Sequence, residues 1–193
     1  MFSRGFKSWC ETTALVQRKA IGLPATEPLD PNRLAKHLGV NVMRAEEVPG
    51  LDADTLQVLL TEDPDSWSAI TVSVGARDLI IVNSSHSGGR PASDLTHELS
   101  HILIGHEPAR VDITEDGLLI LNSYDKTQEE EANWLSGCLL LPREALFAIR
   151  RRRLTDTVAA REYGVSVAML RFRLNVSGVD FQLKRARGHY GRA

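Results

Sequence analysis

Cysteine is scarce: two residues in 193, Cys10 and Cys138. That excludes the disulfide framework of a small secreted domain, and neither thiol has a metal-type partner nearby in sequence. The two read as reduced thiols of a cytoplasmic protein. Long hydrophobic runs are missing as well. The longest candidates, such as the stretch from Asp78 to Asn83, are strand-sized, whereas a membrane span needs roughly 18 apolar residues. No membrane partner is expected. The N-terminal MFSRGFKSWCETT lacks an apolar core followed by a small-residue cleavage site, so nothing marks it for export. Internal repeats and low-complexity tracts do not occur.

What is present is the composition of an ordinary globular protein, 42% apolar and 25% charged. A chain this long can bury a sizeable core as one domain, or one domain plus an appendage. The formal net charge of −2 hides an asymmetry. Residues 1–142 carry 11 Lys and Arg against 21 Asp and Glu, a balance of −10; residues 143–193 carry 12 against 4, a balance of +8. The expected division is a core over 1–142 and a basic helical region over 143–193. Such a tail can meet nucleic acid, or can dock on its own acidic body.

Periodicity places a helix over 5–19 and a short one after Asp30, an N-cap followed by proline at the first helical position. Strands are expected at VNVM (40–43), TLQVLL (55–60), WSAITVSV (67–74) and LIIVN (79–83). A helix begins near Ser93 or Asp94 and runs through Leu95, Leu99, Ile102 and Leu103 to Gly105. Short strands flank Asp116-Gly117, and a further helix spans 127–141 with Pro142 at its end. Two or three short helices follow, up to about residue 176. A small sheet early and helices later is the pattern of an α+β fold.

The helix at 94–105 holds His97-Glu98-Leu99-Ser100-His101, an HExxH. Residues four apart on a helix differ by about 40° in direction, so both imidazoles lie on one face and reach one tetrahedral zinc. Glu98 stands beside that face, placed to act on a metal-bound water rather than to ligate. Shuffled composition produces this motif in roughly 1% of such chains. Leu95, Leu99, Ile102 and Leu103 make the helix part of the core, where unpartnered histidines and a glutamate are costly. Two imidazoles with one carboxylate favour zinc over manganese or iron.

Catalytic zinc takes a third protein ligand and keeps a fourth position open. Three sources are available. His106 follows the glycine that ends the helix, and it reads best as a helix-end histidine near free carbonyls. His86 lies in the preceding loop. The run Glu129-Glu130-Glu131 opens the next helix, where Asn133 shares a face with Glu129 and can orient a ligating imidazole. Tyr124, between the two site helices, can donate to an oxyanion. Arg90 can meet a substrate carboxylate or anchor its loop.

The run DLIIVNSSHSGGRPASDLTHELSHILIGH, followed by QEEEANWLSGCLLLP, resembles the ImmA/IrrE family of metallo-endopeptidases. The shared features are a strand ending in Asn, a loop with an Arg, HExxH, then E-x-x-x-N and an LLxP ending. Fainter similarity extends from LAKHLGVNV (34–42) to REYGVSVAMLRFRL (161–174). Ser100 and Thr96 stand where the family has Gly and often Ala. The resemblance implies a zincin-like, gluzincin-type core with zinc on His97, His101 and Glu129 and with Glu98 as general base. It also implies a cytoplasmic regulatory protease, often encoded on mobile elements, whose substrate is a helix-turn-helix transcriptional repressor cut to relieve repression.

The tail segment TDTVAAREYGVSVAMLRFRL (155–174) has the outline of a helix-turn-helix, with Val158, Ala159, Tyr163, Val165, Leu170 and Leu174 as its inner face. A DNA-binding regulator with a non-catalytic zinc site is therefore an alternative. The toxin half of a toxin–antitoxin pair is another.

Overall fold

Helix α1 (Phe6–Ala20) buries Phe6, Cys10, Ala14 and Arg18, residues four apart that form one stripe. The computed structural model describes residues 2–74, 77–106, 111–113, 119–121 and 125–190. Helix α2 (Pro31–Leu38) opens at Asp30, whose carboxylate accepts from the Asn32 amide, and closes at Gly39 with φ +72°. Strands β1 (Asn41–Arg44), β2 (Ala69–Val74) and β3 (Arg77–Val82) form one sheet in the order β1-β3-β2, with β1 parallel and β2 antiparallel to β3. Ile80 of the central strand is fully buried.

The segment TLQVLL is not a strand. It forms α3 (Ala53–Gln57) and a π-helical turn (Val58–Glu62). Asp52 decides this, because its carboxylate accepts from the Thr55 amide at 2.7 Å and satisfies a first-turn donor. A second departure concerns α4 (Arg90–Ile104), which starts three or four residues before Ser93 and Asp94. Pro91 in its first turn is pre-set for helix and has no amide to leave unpaired. Gly89 precedes it, and a side chain there would stand 2.5 Å from the Val165 backbone carbon. Only glycine lets the helix start so close to the tail.

Strands β4 (Val111–Ile113) and β5 (Leu119–Leu121) pair antiparallel; Asp116 and Gly117 lie outside the described residues. Helix α5 (Lys126–Leu140) is capped by Asp125 and packs on both α4 and α1. Four more helices follow: α6 (Arg143–Arg151), α7 (Asp156–Glu162), α8 (Val167–Ser177) and α9 (Val179–Tyr190). The last lies within the expected helical region 143–193 but past residue 176, where the expected two or three short helices end. Within the α7–α8 inner face, Ala159, Tyr163, Val165, Leu170 and Leu174 are buried, but Val158 faces solvent. The architecture is α+β, with nine α-helices among the described residues and a three-stranded sheet.

Two apolar clusters meet at the end of α5. Leu135, Cys138 and Leu139 join α1, α2, β3 and α4, whereas Leu140 and Leu141 join α6 to α9. A helix ends with carbonyls that have no internal partner. Here two buried arginines take them. Arg18 donates to the Leu139 carbonyl through Nε (3.1 Å) and Nη2 (2.8 Å) and to Leu140 at 3.1 Å. Arg173 donates to the Leu141 carbonyl at 3.2 and 3.1 Å and holds Glu11 at 2.6 Å. Helix α5 is thereby clamped from both clusters.

Candidate metal centre

Helix α4 buries Leu95, Thr96, Leu99 and Ser100 on one side, which turns His97 and His101 to a partly open side. Thr96 and Ser100 fit the crowded face because each hydroxyl is satisfied within the helix. Thr96 donates to the Ala92 carbonyl (2.6 Å) and Ser100 to the Thr96 carbonyl (2.7 Å). Both positions therefore remain small and leave no polar atom unpaired.

The acidic run at the start of α5 splits three ways. Glu129 faces the histidines, with Oε2 at 3.2 Å from His97 Nε2 and Oε1 at 3.4 Å from His101 Nε2. Glu130 is exposed beside Lys126. Glu131 reaches His106, 3.2 Å from its Nε2. The two histidine Nε2 atoms lie 3.0 Å apart. His97, His101 and Glu129 each offer one ligand atom, all within 4.8 Å of one another.

The fit to a metal follows from the donor set. Ligands about 2.0–2.1 Å from a tetrahedral zinc stand roughly 3.3 Å from each other. The observed separations of 3.0, 3.2 and 3.4 Å match that edge length. Burial, with the His97 and His106 charges, lowers His101 to about 4. It is therefore neutral near pH 7, the form that ligates. His97 donates from Nδ1 to Asn133 Oδ1 at 3.2 Å, which leaves its Nε2 lone pair aimed at the cluster.

Glu98 is half-buried next to the cluster, and Thr71 on β2 donates to its Oε2 at 2.6 Å. Burial raises the Glu98 carboxyl above the usual range, with the Thr71 hydrogen bond and the His97 charge opposing that rise. Thr71 escaped the sequence reading, although a signal existed. Along β2 the apolar Ile70 and Val72 are exposed while Thr71 sits between them toward α4. That inverted alternation marks a polar side chain on the covered face.

The remaining candidates lie elsewhere. His86 is buried against Asp94 (2.6 Å) and the Pro64 carbonyl (3.3 Å), away from the three-residue cluster. Arg90 opens α4, two turns or about 10 Å along the axis from His97, and pairs with Asp65. Tyr124 lies outside the described residues. Cys10 and Cys138 are fully buried; burial first of all pushes the Cys10 thiol up to about 12 and Cys138 higher still. Neither is a thiolate ligand or nucleophile.

The Peptidase_M78 family, described as the IrrE N-terminal-like domain, matches residues 35–175, which take in α4, α5 and the tail hairpin. The chain belongs to this family. As an IrrE N-terminal-like domain it has a metallopeptidase-type fold, and the family implies a metal. A solved structure of a Mycobacterium tuberculosis transcriptional regulator shares that fold, with a TM-score of 0.55 and 17% identity. The match covers 86% of this chain and 46% of the regulator, so the chain spans about half of that protein's length. A search of curated proteins finds no match. No helix among the described residues is long and apolar enough to cross a membrane.

Proposed function

We propose that this IrrE-like chain is a zinc-dependent endopeptidase acting on a protein substrate. The observation that carries this reading is the convergence of His97, His101 and Glu129 within 4.8 Å, with Glu98 half-buried next to them. Zinc held by His97, His101 and Glu129 would supply a Lewis acid able to polarise a peptide carbonyl and to acidify a water molecule. Glu98 takes the proton from that water and passes it to the departing amine. Thr71 occupies Oε2 of Glu98, which leaves Oε1 for the transfer. Asn133 holds the His97 ring in place throughout.

The substrate class we favour is a helix-turn-helix transcriptional repressor in the cytoplasm, cut to release expression. Its support is family membership and the family's resemblance to regulatory proteases, and the solved relative is itself named a transcriptional regulator. That name also favours a second reading, direct DNA binding by the basic tail. Four of the tail's twelve Lys and Arg argue against it. Arg150 holds Asp156 and Asp180, Arg152 holds Glu162, Arg171 holds Asp156, and Arg173 is buried on Glu11. Guanidiniums spent on internal carboxylates are not free for phosphates.

The test is co-expression of the wild type or Glu98→Gln with helix-turn-helix repressors from the same source. Loss of full-length repressor with the wild type alone, and equal zinc in both proteins, supports the reading. Equal cleavage by Glu98→Gln would overturn the role of Glu98.

A further inference from the structure

Beyond Gly105 the chain does something the HExxH pattern does not require. Gly105 adopts φ +80°, and the amides of Gly105 and His106 both donate to the His101 carbonyl at 3.0 Å. This left-handed turn closes the helix and brings residue 106 back beside its last turn. The His106 side chain, 6% exposed, comes to rest between two groups. Its Nδ1 lies 2.9 Å from His101 Nδ1, and its Nε2 lies 3.2 Å from Glu131 Oε2.

The hydrogens along this row have one self-consistent order. A carboxylate only accepts, so His106 Nε2 carries the hydrogen that meets Glu131. With one hydrogen on each ring, His106 then has its lone pair on Nδ1, and the hydrogen between the two rings belongs to His101 Nδ1. The lone pair of His101 is thereby placed on Nε2, the atom that faces His97 and Glu129. The opposite order would put a hydrogen on His101 Nε2 and block it as a ligand.

We propose that His106, anchored by Glu131, is a positioning residue that fixes the tautomer and ring angle of His101 for metal binding. It does for His101 what Asn133 does for His97, and it rests on the metal centre proposed above. Two neighbouring glutamates, Glu129 and Glu131, thus act on one centre from opposite sides of the His101 ring, one on Nε2 and the other through His106 on Nδ1.

The test is zinc affinity, measured by competition with a chromogenic chelator on the full chain. Partners of this kind contribute about 10–100-fold to metal affinity. His106→Ala is expected to weaken zinc binding by that factor. His106→Asn, whose Oδ1 takes the place of Nδ1 as acceptor, is expected to recover most of the loss. Unfolding curves of the zinc-free variants show whether the fold is intact. As a reading that needs no substitution, long-range nitrogen-15 NMR of the zinc-free wild type is expected to show His106 with its hydrogen on Nε2.

Three results would overturn the proposal: zinc affinity unchanged in a folded His106→Ala, no recovery in His106→Asn, or a hydrogen on His106 Nδ1. If the wild type itself takes up no zinc, the metal centre falls and this proposal with it. Wild-type binding lost in Glu129→Ala but unaffected by His106→Ala removes only the role of His106.

Discussion

Thr71 and Glu98 are 27 residues apart and meet at 2.6 Å, so the edge strand of the sheet holds the carboxylate beside the HExxH histidines. Strand and helix must both be in place before Glu98 has a fixed direction. Thr71→Val keeps the shape and removes the donor. A hydrogen bond to a charged group is worth about 1.5–3 kcal/mol. The expected outcome is roughly tenfold slower cleavage or more, with zinc content and unfolding midpoint close to wild type. Kinetics on a cleaved repressor, alongside metal analysis, checks it.

The arginine clamp on α5 makes a prediction about stability. Removing Arg18 strands the Leu139 and Leu140 carbonyls in the interior, and removing Arg173 strands the Leu141 carbonyl and Glu11. Stranding a buried acceptor costs about 1–3 kcal/mol, and breaking a buried ion pair from one side costs about 3–5 kcal/mol. Arg18→Met and Arg173→Met are each expected to lose stability on these respective scales in urea unfolding, far more than Arg152→Ala at the surface.

Asp156 gives a prediction for acid. The Arg171 and Arg150 guanidiniums on either side hold its carboxyl below the usual carboxylate range. A carboxyl lowered by folding stabilises the native state above its unfolded pKa, near 3.9, and loses that contribution as pH falls through its native value. Asp156→Asn is therefore expected to be less stable than wild type by about 1 kcal/mol at pH 7. The difference should begin to narrow below about pH 4 and close as pH falls through the lowered native pKa. Melting curves of both proteins from pH 7 to pH 3 measure this.

Much of the fold could be read in the chain because local and long-range preferences agree there. The Leu95, Leu99, Ile102 and Leu103 stripe makes α4 a core helix, and Asp30-Pro31 opens α2 where expected. The reading failed where local chemistry competed. TLQVLL is apolar enough for a strand, but Asp52 and the helical turn it caps outweigh that. Helix α9 has few apolar residues, and its order comes from contacts with α6 and α8.

At the centre, His97 with His101 and Glu129 with Asn133 are each four apart on one helix, which a sequence displays directly, whereas the choice of Glu129 over His106, His86, Glu130 and Glu131 comes from the family resemblance. Thr71 and His106 depend on how separate elements meet. Strand β2 must lie over α4 for Thr71 to find Glu98, and a left-handed Gly105 must turn His106 back toward His101 and Glu131. No spacing records either event.

The most direct measurement is zinc content per chain by mass spectrometry for wild type, His97→Ala and Glu129→Ala. About one zinc is expected in the wild type and little in either variant, with all three proteins folded. A folded wild type that takes up no zinc after reconstitution, or a Glu129→Ala that keeps it fully, would contradict the account.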